Sequence, residues 1–311
     1  MEDFSSPTAA LIAEIEKVIV GKREAIELVI IGLLCRGHIL IEDLPGLGKT
    51  MLARALAKAV DCDFRRIQFT PDLLPADVTG TTVYEKGDGK FTFRPGPLFA
   101  SLVLADEINR ATPKSQSALL ESMEEFQVTV DGISHELPKP FFVIATENPI
   151  EYEGTYPLPE AQLDRFLMKV HIGYPTPEQE VDILQRQVMV HPIENVRPVV
   201  AAAQVLAMQQ ALRAVHIDES LQRYVVDVVN HSRGHETVAL GASPRGSLAM
   251  MRCSQGVAFL AGRDYVVPDD VKRVTEPALS HRLTIKPDHR MRGVTPGSVI
   301  EQILQSVAVP V

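Results

Sequence analysis

The first half of the chain alternates short apolar runs with segments of helical periodicity. Five runs are predicted to be buried strands, at residues 38–41, 65–69, 102–105, 141–145 and 166–172. Most of them lack the alternation of polar side chains that a half-exposed strand shows, so burial on both faces is expected. Strands that alternate with helices in this way are typical of a parallel sheet covered by helices. We therefore expect an α/β fold that binds its ligand at the carboxyl ends of the strands.

The first strand leads into a glycine-rich segment, Pro45-Gly46-Leu47-Gly48-Lys49-Thr50, and a helical pattern follows from Met51 to Val60. This arrangement is typical of a loop that binds the phosphates of ATP or GTP, and Pro45 to Met51 are expected to bind the nucleotide. Glycines let backbone N–H groups approach phosphate oxygens, Lys49 reaches the terminal phosphates, and the Thr50 hydroxyl is a ligand for Mg²⁺. Asp43 stands where the G-x-x-x-x-G-K-[ST] pattern has its first glycine, so the pattern is incomplete.

The strand at 102–105 ends in two adjacent carboxylates, Asp106 and Glu107. A parallel sheet brings them beside the phosphate loop. Asp106 is then expected to hold Mg²⁺, and Glu107 to polarise the water that attacks the γ-phosphate. A second carboxylate that can polarise water favours hydrolysis over phosphoryl transfer to another substrate. The alternative is an acidic cap on the following helix.

The strand at 141–145 is followed by Thr146, Glu147, Asn148 and a proline. The Asn148 amide can orient the attacking water, and Thr146 can assist it. This signal is weak on its own, because Asn-Pro commonly opens a turn.

Two arginines are candidates for contact with the γ-phosphate. Arg245 follows Ser243-Pro244, which predicts a helix N-terminus. A cation there opposes the helix dipole by about 0.3–1 kcal/mol, so a bound anion would explain it; an exposed arginine in water is the alternative. Arg165 precedes the fifth strand, away from the phosphate loop. It could act in trans on the nucleotide of a neighbouring subunit, or it could form a structural pair with Asp164 or Glu160.

Two segments interrupt the α/β rhythm and are predicted to be β-hairpins. One spans residues 81–93 around Gly87-Asp88-Gly89, and the other spans residues 127–137 across Asp131-Gly132. After Pro175 the patterns become helical. The expected organisation is an α/β core with both hairpins, a linker and a helical domain, at residues 1–175, 176–197 and 198–311.

Composition and charge limit the class of ligand and the cellular location that are expected. A net charge of −9 argues against nucleic acid as the principal ligand, and Glu85, Asp88 and Asp131 place negative charge near the hairpin tips. We expect no membrane span, because no stretch approaches the roughly 18 consecutive apolar residues that one needs. The first three residues show no signal-peptide pattern, and three cysteines, far apart, fit reduced thiols. A cytoplasmic protein is expected.

In their order and spacing these features resemble those of an AAA+ ATPase. Longer segments resemble the MoxR family in particular, and the resemblance covers nearly the whole chain. These segments are residues 41–50, 69–77, 105–111, 158–166, 241–245 and 262–266. Two residues depart from the family pattern, namely Phe126, where a basic residue is usual, and Glu147, where glutamine is usual. Asp43 is similar to what several MoxR loops carry.

The resemblance implies an AAA+ P-loop αβα sandwich with a five-stranded parallel sheet, followed by an all-α lid domain. It also implies a hexameric ring that hydrolyses ATP with Mg²⁺. In such a ring Asn148 is sensor 1, Arg165 is the finger that acts in trans, and Arg245 is sensor 2. Val20-Gly21 resembles the segment that lines the adenine pocket.

The activity implied by the resemblance is that of a chaperone-like ATPase that remodels or matures a partner complex. The partner class it implies is a protein with a von Willebrand factor A domain, and the maturation can include metal insertion. Both hairpins would face the pore of the ring or its partner surface. The alternative is an AAA+ motor that acts on nucleic acid, since related hairpins contact nucleic acid in other AAA+ rings.

Overall fold

The computed structural model describes residues 4–87, 89–150 and 154–310. Its strands are β1 Ile39–Glu42, β2 Phe64–Gln68, β3 Gly80–Glu85, β4 Lys90–Pro95, β5 Leu102–Asp106, β6 Gln127–Val130, β7 Ile133–Glu136, β8 Phe142–Glu147, β9 Met168–Val170, β10 Val238–Leu240 and β11 Thr284–Ile285. Its α-helices are α1 Ser5–Glu16, α2 Arg23–Leu34, α3 Lys49–Ala59, α4 Pro75–Thr79, α5 Pro113–Glu125, α6 Glu160–Leu163, α7 Pro177–Arg186, α8 Ala202–Leu212, α9 Glu219–Gly234, α10 Pro244–Leu260, α11 Pro268–Leu279, α12 Pro287–Met291 and α13 Pro296–Ser306. Short 3₁₀ turns lie at Ile108–Arg110, Pro192–Asn195 and Ser280–Arg282.

Five parallel strands form the central sheet, in the order β2-β5-β8-β1-β9. The predicted parallel α/β sheet is confirmed. In the register of the sheet, Glu42 at the end of β1 lies opposite Glu147 at the end of β8. Asp106 ends β5 on the other side of β8. The carboxyl ends of three adjacent strands therefore meet at one edge, and each carries an acidic residue.

The inner strands of the sheet are buried on both faces, as their sequence predicts. Ile39 and Ile41 belong to one apolar cluster, which also holds side chains of α1, α2, α3 and the C-terminal helices. Leu40 points to the other cluster, which includes Leu119 and Leu120 of α5. Successive strand residues alternate between faces, so burial of both faces requires a continuous apolar run.

Two antiparallel hairpins, β3–β4 and β6–β7, lie outside the sheet. They contact each other through Phe93 and His135, whose rings are stacked at 4.0 Å between centroids with planes 14° apart. Large apolar side chains on both hairpins are exposed, namely Tyr84, Phe91 and Ile133. Asp88, predicted near a hairpin tip, lies outside the described residues. The hairpins therefore form a joined surface with exposed aromatic groups.

The C-terminal part is built mainly from α8 to α13. Two of its helices begin at the capping residues that the sequence predicts. Asp218 accepts a hydrogen bond from the Ser220 amide at 2.8 Å, and Ser243 accepts one from the Arg245 amide at 3.1 Å. A short antiparallel pair, β10–β11, was not predicted. The predicted linker contains α7, and the domain boundaries remain predictions. Across the described ranges, none of the helices has the length and apolar character needed to cross a membrane.

Candidate nucleotide site

The phosphate loop joins the end of β1 to the start of α3. Gly46 and Gly48 have φ values of 83° and 85°, a backbone region that glycine adopts without the steric penalty of a side chain. Lys49 begins α3, and its ammonium group donates to the backbone oxygens of Asp43 at 2.6 Å and Glu147 at 3.1 Å. Lys49 therefore links the loop to the end of β8. Pro45 and Thr50 lie on either side of this glycine-rich turn.

The hydrogen bonds of Asp43 account for its presence where the loop pattern has its first glycine. Its carboxylate accepts hydrogen bonds from the backbone N–H groups of Ile172 and Gly173, the latter at 3.3 Å. Its own amide donates to the Glu147 oxygen at 3.3 Å. Because φ is not positive at this residue, no glycine is needed there. The side chain instead ties the start of the loop to the segment after β9.

Asp106 is 7% exposed, and both of its carboxylate oxygens are bound. Oδ2 accepts from Arg66, with Nε at 2.9 Å and Nη2 at 2.7 Å. Oδ1 accepts from the Thr146 hydroxyl at 2.6 Å. Arg66 was not predicted from the sequence to contact Asp106. A signal was present, because Arg66 and Gln68 are two residues apart in a strand and so share one face.

Glu107 follows Asp106 in the left-handed backbone region, with φ 57°. Its amide donates to the Thr146 hydroxyl oxygen at 2.9 Å. Its carboxylate oxygen Oε2 accepts from Gln68 Nε2 at 2.7 Å and from Arg110 Nη1 at 3.1 Å. Left-handed backbone costs a residue with a side chain roughly 1–2 kcal/mol, and such residues cluster at active sites. Thr146 therefore holds the orientation of both acidic residues.

Asn148 follows β8 and is 2% exposed. Its Oδ1 accepts a hydrogen bond from the Ile150 amide at 3.3 Å. Its Nδ2 is buried, and no acceptor lies within hydrogen-bonding distance among the described residues. An unsatisfied buried donor costs about 1–3 kcal/mol. This amide is therefore positioned to donate to a ligand oxygen or to a water molecule.

Glu147 lies between Asn148 and Thr146 and is largely buried. Burial and, after it, the nearby Glu42 carboxylate raise the pKa of its carboxyl group to about 7, although Lys169 and Lys49 act to lower it. Glu147 thus carries a charge that depends on pH near neutrality, beside the lysine of the loop.

A cavity of about 210 Å³ adjoins the loop on the side of α7. Its lining includes Val20, Met51 and Ile183, together with Gly46, Leu47 and Gly48. Five of the predicted nucleotide-binding residues therefore line one mostly apolar pocket. Gly21 does not line this pocket; it borders a larger cavity between β9, α11 and α13.

Arg165 and Arg245 meet on a single carboxylate. Arg165 Nε is 3.3 Å from Oε2 of Glu124, and Arg245 Nη2 is 2.5 Å from Oε1 of the same residue. Of the two alternatives for Arg165, the structural pair with Asp164 or Glu160 is not formed among the described residues. Arg165 pairs with Glu124, and Asp164 binds Arg282 at 2.7 Å. The Arg245 side chain is about half exposed, but its guanidinium group is paired with Glu124. The two arginines form one positively charged site with Glu124 between them.

This arginine site lies at the opposite edge of the sheet from the phosphate loop. The residue two after Arg165, Leu167, donates its amide to the His38 oxygen at 2.8 Å, just before β1 begins. The loop begins at Asp43, five residues further along an extended strand, or roughly 16 Å. In one chain, neither arginine is placed beside Lys49. The contact of Arg245 with a γ-phosphate stays a prediction, and in one chain the arginine does not lie beside the loop that would hold that phosphate.

Comparisons with known proteins agree with this geometry. A family model described as "ATPase family associated with various cellular activities (AAA)" matches residues 38–168, and one described as "AAA lid domain" matches residues 230–303. Chaperone MoxR1 of Mycobacterium tuberculosis is 43% identical over 96% of this chain and 81% of its own length. The chain belongs to the MoxR family of AAA+ ATPases.

Other MoxR-type relatives and a solved structure extend the match across the chain. Protein MoxR of Methylorubrum extorquens is 30% identical over 100% of this chain and 97% of its own length. The crystal structure of a Cytophaga hutchinsonii protein, described as a candidate ATPase, superposes with a TM-score of 0.92 at 41% identity. It covers 99% of this chain and 96% of the solved chain. The AAA+ αβα core with its following lid domain is therefore confirmed, in a chaperone-type ATPase.

Proposed function

We propose that this MoxR-type protein hydrolyses ATP at sites shared between neighbouring copies and uses the energy to remodel a partner protein complex. The main support for this proposal is the position of two groups of residues. Lys49, Asp106 and Glu107 lie at the carboxyl edge of the sheet, whereas Arg165 and Arg245 lie together at the amino edge. A complete site for phosphoryl transfer needs both groups, so each copy supplies half of two different sites.

The residues at the carboxyl edge fit ATP with Mg²⁺. Thr50 and Asp106 offer the oxygen ligands that Mg²⁺ prefers and would hold it. When bound, Mg²⁺ neutralises charge on the phosphates. Lys49 reaches the terminal phosphates from the first turn of α3, and Asn148 donates its free N–H to the attacking water or to a phosphate oxygen. Glu107 accepts a proton of that water once its carboxylate leaves Gln68 and Arg110.

The arginine site completes the reaction from a neighbouring copy. Arg165 and Arg245 bring two positive charges to the charge that develops on the transferred phosphoryl group. Contacts between two different edges of the same molecule are head-to-tail, and they close into a ring when the rotation allows it. A hexameric ring is proposed here, in line with the family resemblance. Hydrolysis then depends on assembly.

The joined hairpins are proposed to contact the partner. Tyr84, Phe91 and Ile133 expose aromatic and aliphatic area, and Phe91 is 74% exposed. Large apolar side chains at the surface mark protein interaction sites when they are grouped. The stack of Phe93 on His135 makes both hairpins part of that surface. The partner class proposed is a von Willebrand factor A domain protein, with metal insertion as one form of the maturation it assists.

A trapped complex tests this proposal. The Glu107→Gln protein with ATP and Mg²⁺ should give a hexamer in native mass spectrometry and should retain a von Willebrand A domain protein on affinity purification. Lys49→Ala is the matched control, because it removes the phosphate contact and leaves the hairpins unchanged. A protein that stays monomeric would refute the shared site. Retention of nucleic acid in place of a protein partner would refute the proposed partner class.

A further inference from the structure

A further cavity, of about 320 Å³, lies at the amino edge of the sheet, apart from the nucleotide pocket. It is formed where the ends of α2, α5 and α8 meet the segment before β8. Three cationic side chains border it, those of Arg36, Lys139 and Arg213. Two glutamine amides and an apolar floor complete the lining, and the lining includes no carboxylate. The cavity is thus strongly positive in a chain whose net charge is −9.

The positive charges of this cavity are poorly neutralised. In the part of the chain that the structure describes, no carboxylate oxygen lies within 4.0 Å of a side-chain nitrogen of Arg36 or Arg213. Lys139 has one ion pair, at 3.4 Å, with the exposed Glu136. Arginine presents parallel N–H donors that match a carboxylate or phosphate in a bidentate arrangement. Arg36 and Arg213 are therefore available to an anionic ligand.

Arg36 is held in an unusual conformation beside the floor of the cavity. Its φ is 56°, in the left-handed region that residues with side chains rarely adopt. Its guanidinium carbon lies 5.3 Å from the ring centroid of Phe126, which also has a positive φ of 54°. Such a cation–π contact orients the guanidinium group. The left-handed conformation ends α2, because the amides of Gly37 and Arg36 donate to the oxygens of Gly32 and Leu33.

The floor of the cavity is apolar. Phe126 and Phe141 pack edge to face at 6.3 Å between ring centroids, and Leu206 of α8 lies beside them. A ligand that fits must therefore combine an anionic group for the rim with an apolar part for the floor. A pocket of this size is near the lower limit for small-ligand sites, so the occupant is short.

We propose that this cavity binds a short acidic peptide segment of a partner protein. Two carboxylates of the segment contact Arg36 and Arg213, and an apolar side chain between them packs on Phe126 and Phe141. A chain of phosphates fits less well, because it offers no apolar part to the floor formed by Phe126 and Phe141. Arg36 also borders the cavity that holds Arg165 and Arg245, so this site adjoins the arginine site. It includes neither of those arginines and does not require the proposed hydrolysis.

Fluorescence anisotropy with a labelled pentapeptide, Glu-Glu-Leu-Glu-Glu, tests this site. Wild-type protein should bind it, and Arg36→Gln/Arg213→Gln should weaken binding at least about tenfold, since two charge-assisted contacts are lost. Arg290→Gln/Arg292→Gln removes the same charge from exposed positions elsewhere and should leave binding unchanged. Arg213→Gln alone, at an exposed position after α8, should weaken binding to a smaller extent. It remains informative if the double variant fails to fold.

Four results would overturn the proposal. They are absence of binding to wild-type protein, equal binding of Gln-Gln-Leu-Gln-Gln, an equal loss in the Arg290/Arg292 control, and displacement of the peptide by a single-stranded oligonucleotide at lower concentration than by unlabelled peptide. Weaker binding of Glu-Glu-Gly-Glu-Glu than of the leucine peptide would support the role of the apolar floor.

Discussion

The guanidinium group of Arg66 is bound to Asp106, with Nε 2.9 Å and Nη2 2.7 Å from the same carboxylate oxygen, Oδ2. Asp106 is also the proposed ligand of Mg²⁺. The arginine and the cation therefore act on one carboxylate, and Arg66 should influence how readily the metal binds.

Arg66→Gln should lower the Mg²⁺ concentration that gives half-maximal ATPase activity. The Arg66 side chain is about half exposed, so its ion pair is worth no more than about 1 kcal/mol, which corresponds to a change of up to about fivefold. A Mg²⁺ titration at fixed ATP measures it. Arg65→Gln is the matched control, because Arg65 is exposed on the other face of β2. An increased requirement for Mg²⁺ in the Arg66 variant would contradict this account.

Glu107→Gln should keep ATP binding and reduce turnover by at least about 100-fold, because the substitution keeps the shape and removes the group that accepts the proton. Fluorescent nucleotide binding and phosphate release measure the two steps. Glu125→Gln, at the exposed end of α5, removes an equal charge and should turn over normally. Full turnover in the Glu107 variant would show that another residue polarises the water.

Arg165→Ala subunits mixed with Lys49→Ala subunits should recover part of the ATPase activity that each variant lacks alone. In mixed assemblies, some sites combine an intact phosphate loop from one copy with an intact arginine from the next. Phosphate release against the mixing ratio measures the recovery. If every ratio stays inactive, Arg165 does not act on the nucleotide of a neighbour.

Asp43→Gly restores the consensus glycine and should nevertheless destabilise the protein, by about 1–3 kcal/mol, because the Ile172 and Gly173 amides lose their acceptor. Urea denaturation measures the change. Asp43→Asn keeps one acceptor oxygen and should lose less. A more stable glycine variant would mean that the carboxylate contributes nothing to the fold.

Glu147→Gln should change the pH dependence of stability. The pKa of Glu147 is about 7 in the folded chain against an ordinary value of 4.5. Between these values the folded state keeps a proton that the unfolded state releases, so the unfolding free energy falls as pH rises. The variant removes this loss and should be more stable by up to about 3 kcal/mol at pH 8, with little difference near pH 4.5. Denaturation curves at both pH values measure it, and an equal gain at each would exclude titration as the cause.

Much of the fold follows from local sequence. The five sheet strands were predicted within a few residues. The inner strands β1, β5 and β8 are apolar runs buried on both faces, whereas the edge strands β2 and β9 carry charged residues that are exposed or half-buried. The pair β10–β11 was missed because its strands have three and two residues, too few to show a period. The order of the strands depends on packing between distant segments, which one sequence does not display.

The residues of the candidate site were likewise predicted only in part from the sequence. Lys49, Thr50, Asp106 and Glu107 stand in spacings that the chemistry itself requires. Gln68 and Glu124 were not predicted, because each acts on a residue about 40 positions away in the chain. Only the sheet and the end of α5 bring these partners together.

The left-handed backbone of Glu107 sets the requirements of stability and of activity against each other at one residue. Glycine at 107 would relax the backbone but remove the carboxylate, so the most stable chain would not be an active one. Variants selected for thermal resistance alone should therefore accumulate glycine or asparagine at this position, and selection for turnover should restore the glutamate.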